Sequence, residues 1–268
     1  MKIPSKIHYC WFGGKPLPPL AQRCIASWQK FLPGYEIIRW DESNFDINIC
    51  SYVQEAYQAK KWAFVSDYVR FAVLYKYGGL YFDTDVEIIK PLDIILARGG
   101  FMGLETDCNQ KITANPGLGM AVAPGLGLYK EILDAYHTRH FIKSDGSLNV
   151  TTVVTYTTEI LKKHGLKNVT GIQHVAGVNI YPTDYFCPKN YLTGELKITS
   201  NTVTVHHFEA SWVADNVKYA HALTQRLNRF LPYYLALHLA DFIATWQFYG
   251  FNQTCIKLIN KLVNKLHC

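Results

Sequence analysis

The sequence predicts an α/β domain with a helical C-terminal appendage. Three observations carry that prediction. A strand, a helix and a second strand follow one another within the first 40 residues. A short apolar segment further on ends abruptly in two carboxylates. The chain after about residue 216 is helical throughout, with no Gly-, Ser- or Pro-rich linker before it.

The elements follow in order. Residues 6–11 form an apolar run closed by Phe12-Gly13-Gly14, a buried strand and a tight loop. Pro18 and Pro19 open a helix whose apolar positions Leu20, Cys24, Trp28 and Phe31 keep helical spacing, and Pro33-Gly34 stop it. Residues 35–40 are a second strand, and strand–helix–strand favours a parallel sheet. Ser51 with Gln54 reads as a capping box for a helix over 52–60. A further helix runs from 62 to 77, with Gly78-Gly79 as its cap and turn. Leu80-Tyr81-Phe82 is a buried strand that stops at Asp83-Thr84-Asp85, and residues 86–89 resume as a strand that Pro91 ends. Residues 101–104 and 120–123 read as strands, 124–140 and 151–163 as helices, and 202–208 as the last strand. The division is an α/β domain over 1–215 and a helical segment over 216–268.

Composition narrows the class. Of 268 residues, 49% are hydrophobic and 18% charged, which excludes a disordered chain. No run of roughly 18 apolar residues predicts a membrane-spanning helix. Seven Cys, an odd number without CxxC spacing, read as reduced thiols, most of them small buried hydrophobes. No secretory signal opens the chain, so the expected location is cytoplasmic. A net charge of +6 is modest and fits phosphate-bearing ligands or an anionic membrane as well as nucleic acid.

Four places could carry chemistry. Asp83 and Asp85 stand at the carboxyl edge of a strand, where open α/β sheets bind ligands. Carboxylates so close repel unless a cation such as Mg²⁺ or Mn²⁺ offsets them. Because a D-x-D arises by chance about once in two chains of this composition, the motif alone could equally be a solvated turn. Asp67 and Arg70 share a helix face, as a site pair or as a simple i,i+3 ion pair. His206 and His207 at a strand end point to opposite faces, so at most one of them joins Asp85 in a metal site; the alternative is a structural role for both. Trp11 at a strand end is either a base-stacking platform or core.

In series, the segments Lys6-Ile7-His8-Tyr9-Cys10-Trp11-Phe12-Gly13-Gly14, Ser66-Asp67-Tyr68-Val69-Arg70, Tyr77-Gly78-Gly79-Leu80-Tyr81-Phe82-Asp83-Thr84-Asp85 and His206-His207-Phe208-Glu209-Ala210-Ser211-Trp212 resemble the family 32 glycosyltransferases, the DXD-containing sugar-binding group. Bacterial members often serve capsular or exopolysaccharide assembly, and the catalytic domains of large glucosylating toxins are more distant relatives. The resemblance spans about residues 1–212. It implies a GT-A, Rossmann-like domain that binds a UDP-sugar and Mn²⁺ or Mg²⁺ and transfers the sugar with retention of configuration. By resemblance, Trp11 stacks on the uracil, and Asp67 and Arg70 hold the donor sugar beside Ser66. Tyr81 contacts the donor, Asp83 faces ribose and metal, and Asp85 binds the metal. Ser211 and Trp212 close over the diphosphate. Where the toxins place an acidic ligand, this chain has the His pair, with His206 the better candidate and His207 second. No convincing carboxylate nucleophile is evident; Glu105 and Asp107 only follow a strand, so same-face attack is expected.

The expected partners are the nucleotide sugar and a saccharide acceptor, lipid-linked in the reading that fits such pathways, with no nucleic acid. Residues 252–268 have Ile256, Ile259, Leu262, Val263 and Leu266 at helical spacing opposite Lys257, Lys261 and Lys265. That pattern fits peripheral contact with the inner face of the cell membrane, or packing on the domain or on a second subunit. The competing functions are an effector-type glycosyltransferase that modifies protein and a haloacid-dehalogenase-type phosphohydrolase. The latter is disfavoured because 82 residues precede Asp83 and no later acidic pair is evident.

Overall fold

The computed structural model describes residues 2–106, 111–209 and 213–266. The chain divides into two units: residues 1–189 with 196–209, and residues 190–195 with 210–268.

In the first unit the elements are β1 (Lys6–Cys10), α1 (Pro19–Phe31), β2 (Glu36–Trp40), α2 (Ser51–Gln58), α3 (Trp62–Tyr77), β3 (Gly79–Tyr81), β4 (Val86–Ile88), α4 (Asp93–Ala97), β5 (Phe101–Thr106), β6 (Ile112–Val122), α5 (Gly127–His137), α6 (Val153–Lys163), β7 (Gln173–Val175), β8 (Val178–Tyr181), α7 (Thr183–Phe186) and β9 (Thr204–His206). Seven strands form one sheet in the order β2-β1-β3-β6-β5-β8-β7, and β4 pairs with β9 in a separate two-stranded sheet.

The α/β expectation holds, with a correction to the sheet. β1 is parallel to both β2 and β3. Beyond β3 the sheet turns mixed, because β6 runs antiparallel to both β3 and β5. The strand expected over 120–123 is in fact 11 residues long. It contains Asn115-Pro116-Gly117, and the register with β5 jumps there, from Met102 opposite Met120 to Gly103 opposite Asn115, so residues 116–119 form a bulge. The strand after Asp85 belongs to the small sheet and leaves the main one. The capping box at Ser51 is also corrected: the helix starts at Ser51 itself, Cys50 occupies the cap, and no side chain closes it.

Side chains alternate across β3, as the period of 2 demands. Tyr81 joins the core under α2, α3, α5 and α6, while Leu80 and Phe82 join the core under α1 and α4. The sheet is thus the middle of three layers. Arg70 on α3 and Tyr81 on β3 consequently share one face at the edge where β3 ends. Gly78 and Gly79 make the α3–β3 turn possible. Both take positive φ, and a Cβ on Gly79 would come within 2.7 Å of the Lys6 carbonyl.

His8 ties the same corner together. It is fully buried; its Nε2 donates to the Gly78 carbonyl at 2.9 Å, and its Nδ1 accepts from Trp40 Nε1 at 3.0 Å. Burial lowers its pKa to about 4, so it is a neutral structural imidazole.

In the second unit, α8 (Asp215–Leu227) packs along α9 (Tyr233–Leu266), which is broken at Gly250, where φ is 80°. Among the described residues no helix is long and apolar enough to cross a membrane.

Candidate functional site

The site is built around Arg70. Its position on the third turn of α3 aims the guanidinium at the end of β3, with its Nε donating to the Ser66 carbonyl at 3.1 Å. Nη2 pairs with Asp67 Oδ1 at 3.0 Å and with Asp83 Oδ1 at 3.3 Å, and Nη1 donates to Asp83 Oδ2 at 3.4 Å. The guanidinium carbon lies 4.9 Å from the centre of the Tyr81 ring. Tyr81 donates its hydroxyl to Asp83 Oδ1 at 2.9 Å. The i,i+3 ion pair therefore exists, and it is also the base of a larger cluster that contains the first DXD carboxylate.

Electrostatics follow from burial. Desolvation pushes the Asp67 carboxyl up to about 7, against the pull of Arg70 and with the added repulsion of Asp83. Burial opposes the charge on Arg70, but Asp83, Tyr81 and Asp67 outweigh it and hold the guanidinium above its ordinary pKa. Burial likewise keeps the Tyr81 phenol protonated and a donor.

Asp85 faces a second set of partners. Its Oδ1 lies 3.2 Å from His206 Nε2, and its Oδ2 accepts the Glu209 N–H at 2.8 Å. Burial raises its pKa, but His206 and that N–H outweigh burial and hold it at about 2. Burial works against the charge on His206, and Asp85 beside it reverses the balance and raises its pKa. His206 Nδ1 is buried and has no hydrogen-bond partner among the described residues. His207 points elsewhere, with its Nε2 2.9 Å from Glu87 Oε2. The strand alternation thus brings His206 to Asp85 and sends His207 away.

Trp11 lies one residue beyond β1, on the same carboxyl edge, and is part-buried; its Nε1 donates to the Lys15 carbonyl at 2.6 Å. Ser66 takes part through its carbonyl, while its hydroxyl donates to the Trp62 carbonyl. Glu105, at the end of β5, accepts from Asn115 Nδ2 at 2.7 Å. Asp107, Ser211 and Trp212 lie outside the described residues.

Sequence reasoning missed Asn115 and Gly117. Asn115 Oδ1 accepts the Gly117 N–H at 2.7 Å, and the Gly117 carbonyl accepts the Asp83 N–H at 3.1 Å. A Cβ on Gly117 would lie 2.1 Å from Asp83 Oδ2. The available signal was a glycine inside a strand, which often marks a close approach.

The donors fit a divalent cation of one kind. Asp83 and Asp85 offer hard carboxylate oxygens, and among the described residues no group of three His, Cys, Asp or Glu is arranged to hold a metal. Two carboxylates suit an Mg²⁺- or Mn²⁺-like ion that completes its shell with phosphate oxygens and water, not a closed protein cage.

This is a charged, part-buried cluster at the carboxyl edge of an α/β sheet, the edge where open α/β sheets bind ligands. Residues 18–102 match the family described as the glycosyltransferase sugar-binding region containing the DXD motif. That match marks a DXD-containing glycosyltransferase region within this chain. The chain is 30% identical over 112 residues to inositol phosphoceramide mannosyltransferase 1 of Schizosaccharomyces pombe, which covers 38% of this chain and 34% of that protein. The chain thus spans about a third of the length of that curated relative. A solved structure of the PaToxG glycosyltransferase aligns with a TM-score of 0.47 at 19% identity, over 60% of this chain and 69% of the other.

Proposed function

We propose that the protein transfers a sugar, with retention, from a UDP-sugar to a saccharide acceptor carried on a lipid, in polysaccharide assembly. The observation that carries the reading is the Asp67–Arg70–Asp83–Tyr81 cluster set beside Asp85 at the carboxyl end of β3. The match of residues 18–102 supports a nucleotide-sugar donor. A relative named for mannosylating inositol phosphoceramide supports an acceptor borne on a lipid. Residues 1–215 carry the chemistry in this reading, and residues 216–268 serve docking, at the inner face of the membrane.

Breaking the sugar–phosphate bond places new negative charge on the departing diphosphate. Asp83 and Asp85 would hold the Mn²⁺ or Mg²⁺ that supplies an offsetting charge, with His206 beside Asp85 and His207 turned toward Glu87. Arg70, fixed by two carboxylates and the Ser66 carbonyl, presents its charge to the donor without needing to reorganise. Asp67 accepts from the sugar hydroxyls in its ionised form. Trp11, its ring oriented by the Lys15 carbonyl, stacks on the uracil. Ser211 and Trp212 close over the diphosphate. The acceptor hydroxyl attacks from the face that the diphosphate leaves and passes its proton to that phosphate. No side-chain nucleophile is needed, and Glu105 stays with Asn115.

The test is a screen of UDP-sugars, with GDP-mannose beside them because of the mannosyltransferase relative, read as nucleoside diphosphate release with added Mn²⁺. Release of UDP that is abolished by EDTA and by Asp85→Ala supports the reading. Release of inorganic phosphate, or turnover undiminished in EDTA, refutes it.

A further inference from the structure

The first part of α9 is built inside out. Ala236, Ala240 and Ala244 recur every fourth residue and are buried, and α8 is the element packed along α9. The large apolar side chains lie on the other faces. Tyr234 is 60% exposed, Leu235 54%, Trp246 55% and Tyr249 57%, with Leu237, Leu239 and Phe248 also exposed. Phe230, in the turn before the helix, is exposed as well. Between Tyr233 and Tyr249 the only charged residue is Asp241. A helix that is apolar on nearly every face is ordinarily covered, yet here Ala236, Ala240, Ala244 and Thr245 are the buried positions, with Phe242 and Ile243 half-buried.

We propose that this stretch, Tyr234 to Tyr249, is a docking face for an anionic lipid surface, lying in the headgroup region. Three observations select that occupant. Among the described residues the helix is not long and apolar enough to cross a bilayer, so the position assigned to it is the interface. Three of its four exposed aromatics, Tyr234, Trp246 and Tyr249, are Tyr or Trp, whose apolar rings and polar tips suit the headgroup boundary. Residues 210–268 carry six Lys and Arg against two Asp, a balance that complements anionic lipid. Lys257, Lys261 and Lys265 continue on the same helix beyond the Gly250 break, and their side chains lie outside the described residues. The proposal deepens the membrane contact proposed above by assigning the apolar anchor to 234–249, with residues 252–268 adding charge. It stands or falls separately from sugar transfer.

The experiment is flotation of the full chain with vesicles of phosphatidylcholine mixed with phosphatidylglycerol, and with vesicles of phosphatidylcholine alone. The wild-type chain is expected to float with the mixed vesicles. The triple variant Leu235→Ser, Trp246→Ser, Tyr249→Ser is expected to bind at least roughly tenfold more weakly, since each side chain removes a large apolar contact. Its circular dichroism and UDP release without lipid should match wild type. The triple variant Lys257→Gln, Lys261→Gln, Lys265→Gln should bind more weakly and lose its preference for the mixed vesicles. Absence of flotation by wild type, or flotation undiminished in the serine variant, overturns the proposal. So does a wild-type dimer in light scattering that the serine variant dissolves while neither protein floats, because a second copy then covers the face. Failure of UDP release with normal flotation would instead reject the catalytic reading alone.

Discussion

Gly117→Ala isolates the position of one carboxylate. The added Cβ would stand 2.1 Å from Asp83 Oδ2, where ordinary contact begins near 3.4 Å, so the carboxylate must move by about 1.3 Å. The obstructed atom is the tip of a side chain that is 30% exposed, so it can rotate away at modest cost to folding. An overpacking penalty near the low end, about 1 kcal/mol, corresponds to a Tm drop of roughly 2–4 °C. The site fares worse. Movement on that scale breaks the contacts from Arg70 at 3.3 and 3.4 Å and the Tyr81 hydrogen bond at 2.9 Å. A misplacement of about 1 Å commonly costs on the order of a hundredfold in rate, which is about 2.7 kcal/mol of barrier. Gly127→Ala is the control, because its Cβ would meet nothing within 4 Å. The assay is UDP release at saturating donor, with thermal melting on the same samples. A folded Gly117→Ala protein with kcat within threefold of wild type would show that the Asp83 position does not govern turnover.

Two further perturbations probe the charges. Arg70→Ala leaves the buried Asp67 and part-buried Asp83 without their cation, and should cost roughly 3–5 kcal/mol in urea titration as well as activity. Arg70→Lys should recover part of that stability but little turnover, since it keeps charge and loses the two-pronged contact; equal turnover of the two proteins would contradict the assigned role. His8 links stability to pH. Its pKa is about 4 folded against 6.5 unfolded, so the unfolded chain binds the extra proton first. Its contribution is complete above 6.5 and is lost as pH falls through 4, about 3 kcal/mol in all. His8→Gln should lack that slope between pH 7 and 4, and an unchanged slope would remove His8 as its source.

Much of this protein is legible in its sequence because the signals are local. Pro18-Pro19 and Pro33-Gly34 bracket α1 by removing helical donors and supplying a left-handed turn. The α3 boundaries fall where the periodicity and Gly78 place them. The DXD sits at a strand end because Leu80-Tyr81-Phe82 is too apolar to lie anywhere but in the core. Helical spacing alone predicts that Asp67 and Arg70 meet, and alternation alone predicts that His206 and His207 part.

Tertiary structure decided what depends on residues distant in sequence. That Arg70 reaches Asp83 as well as Asp67 follows from α3 packing over β3, a relation between layers that no local pattern encodes. The antiparallel entry of β6 is set by pairing with β3 and β5, and the jump in register from Met120 to Asn115 leaves residues 116–119 as a bulge between two paired stretches. Only then does Gly117 come to abut Asp83, 34 positions earlier in the chain, and become a requirement of the site. The inverted face of α9 is hidden for the same reason. Its sequence reads as an ordinary apolar helix, and only packing determines that alanines are buried while leucines, tyrosines and tryptophan remain outside.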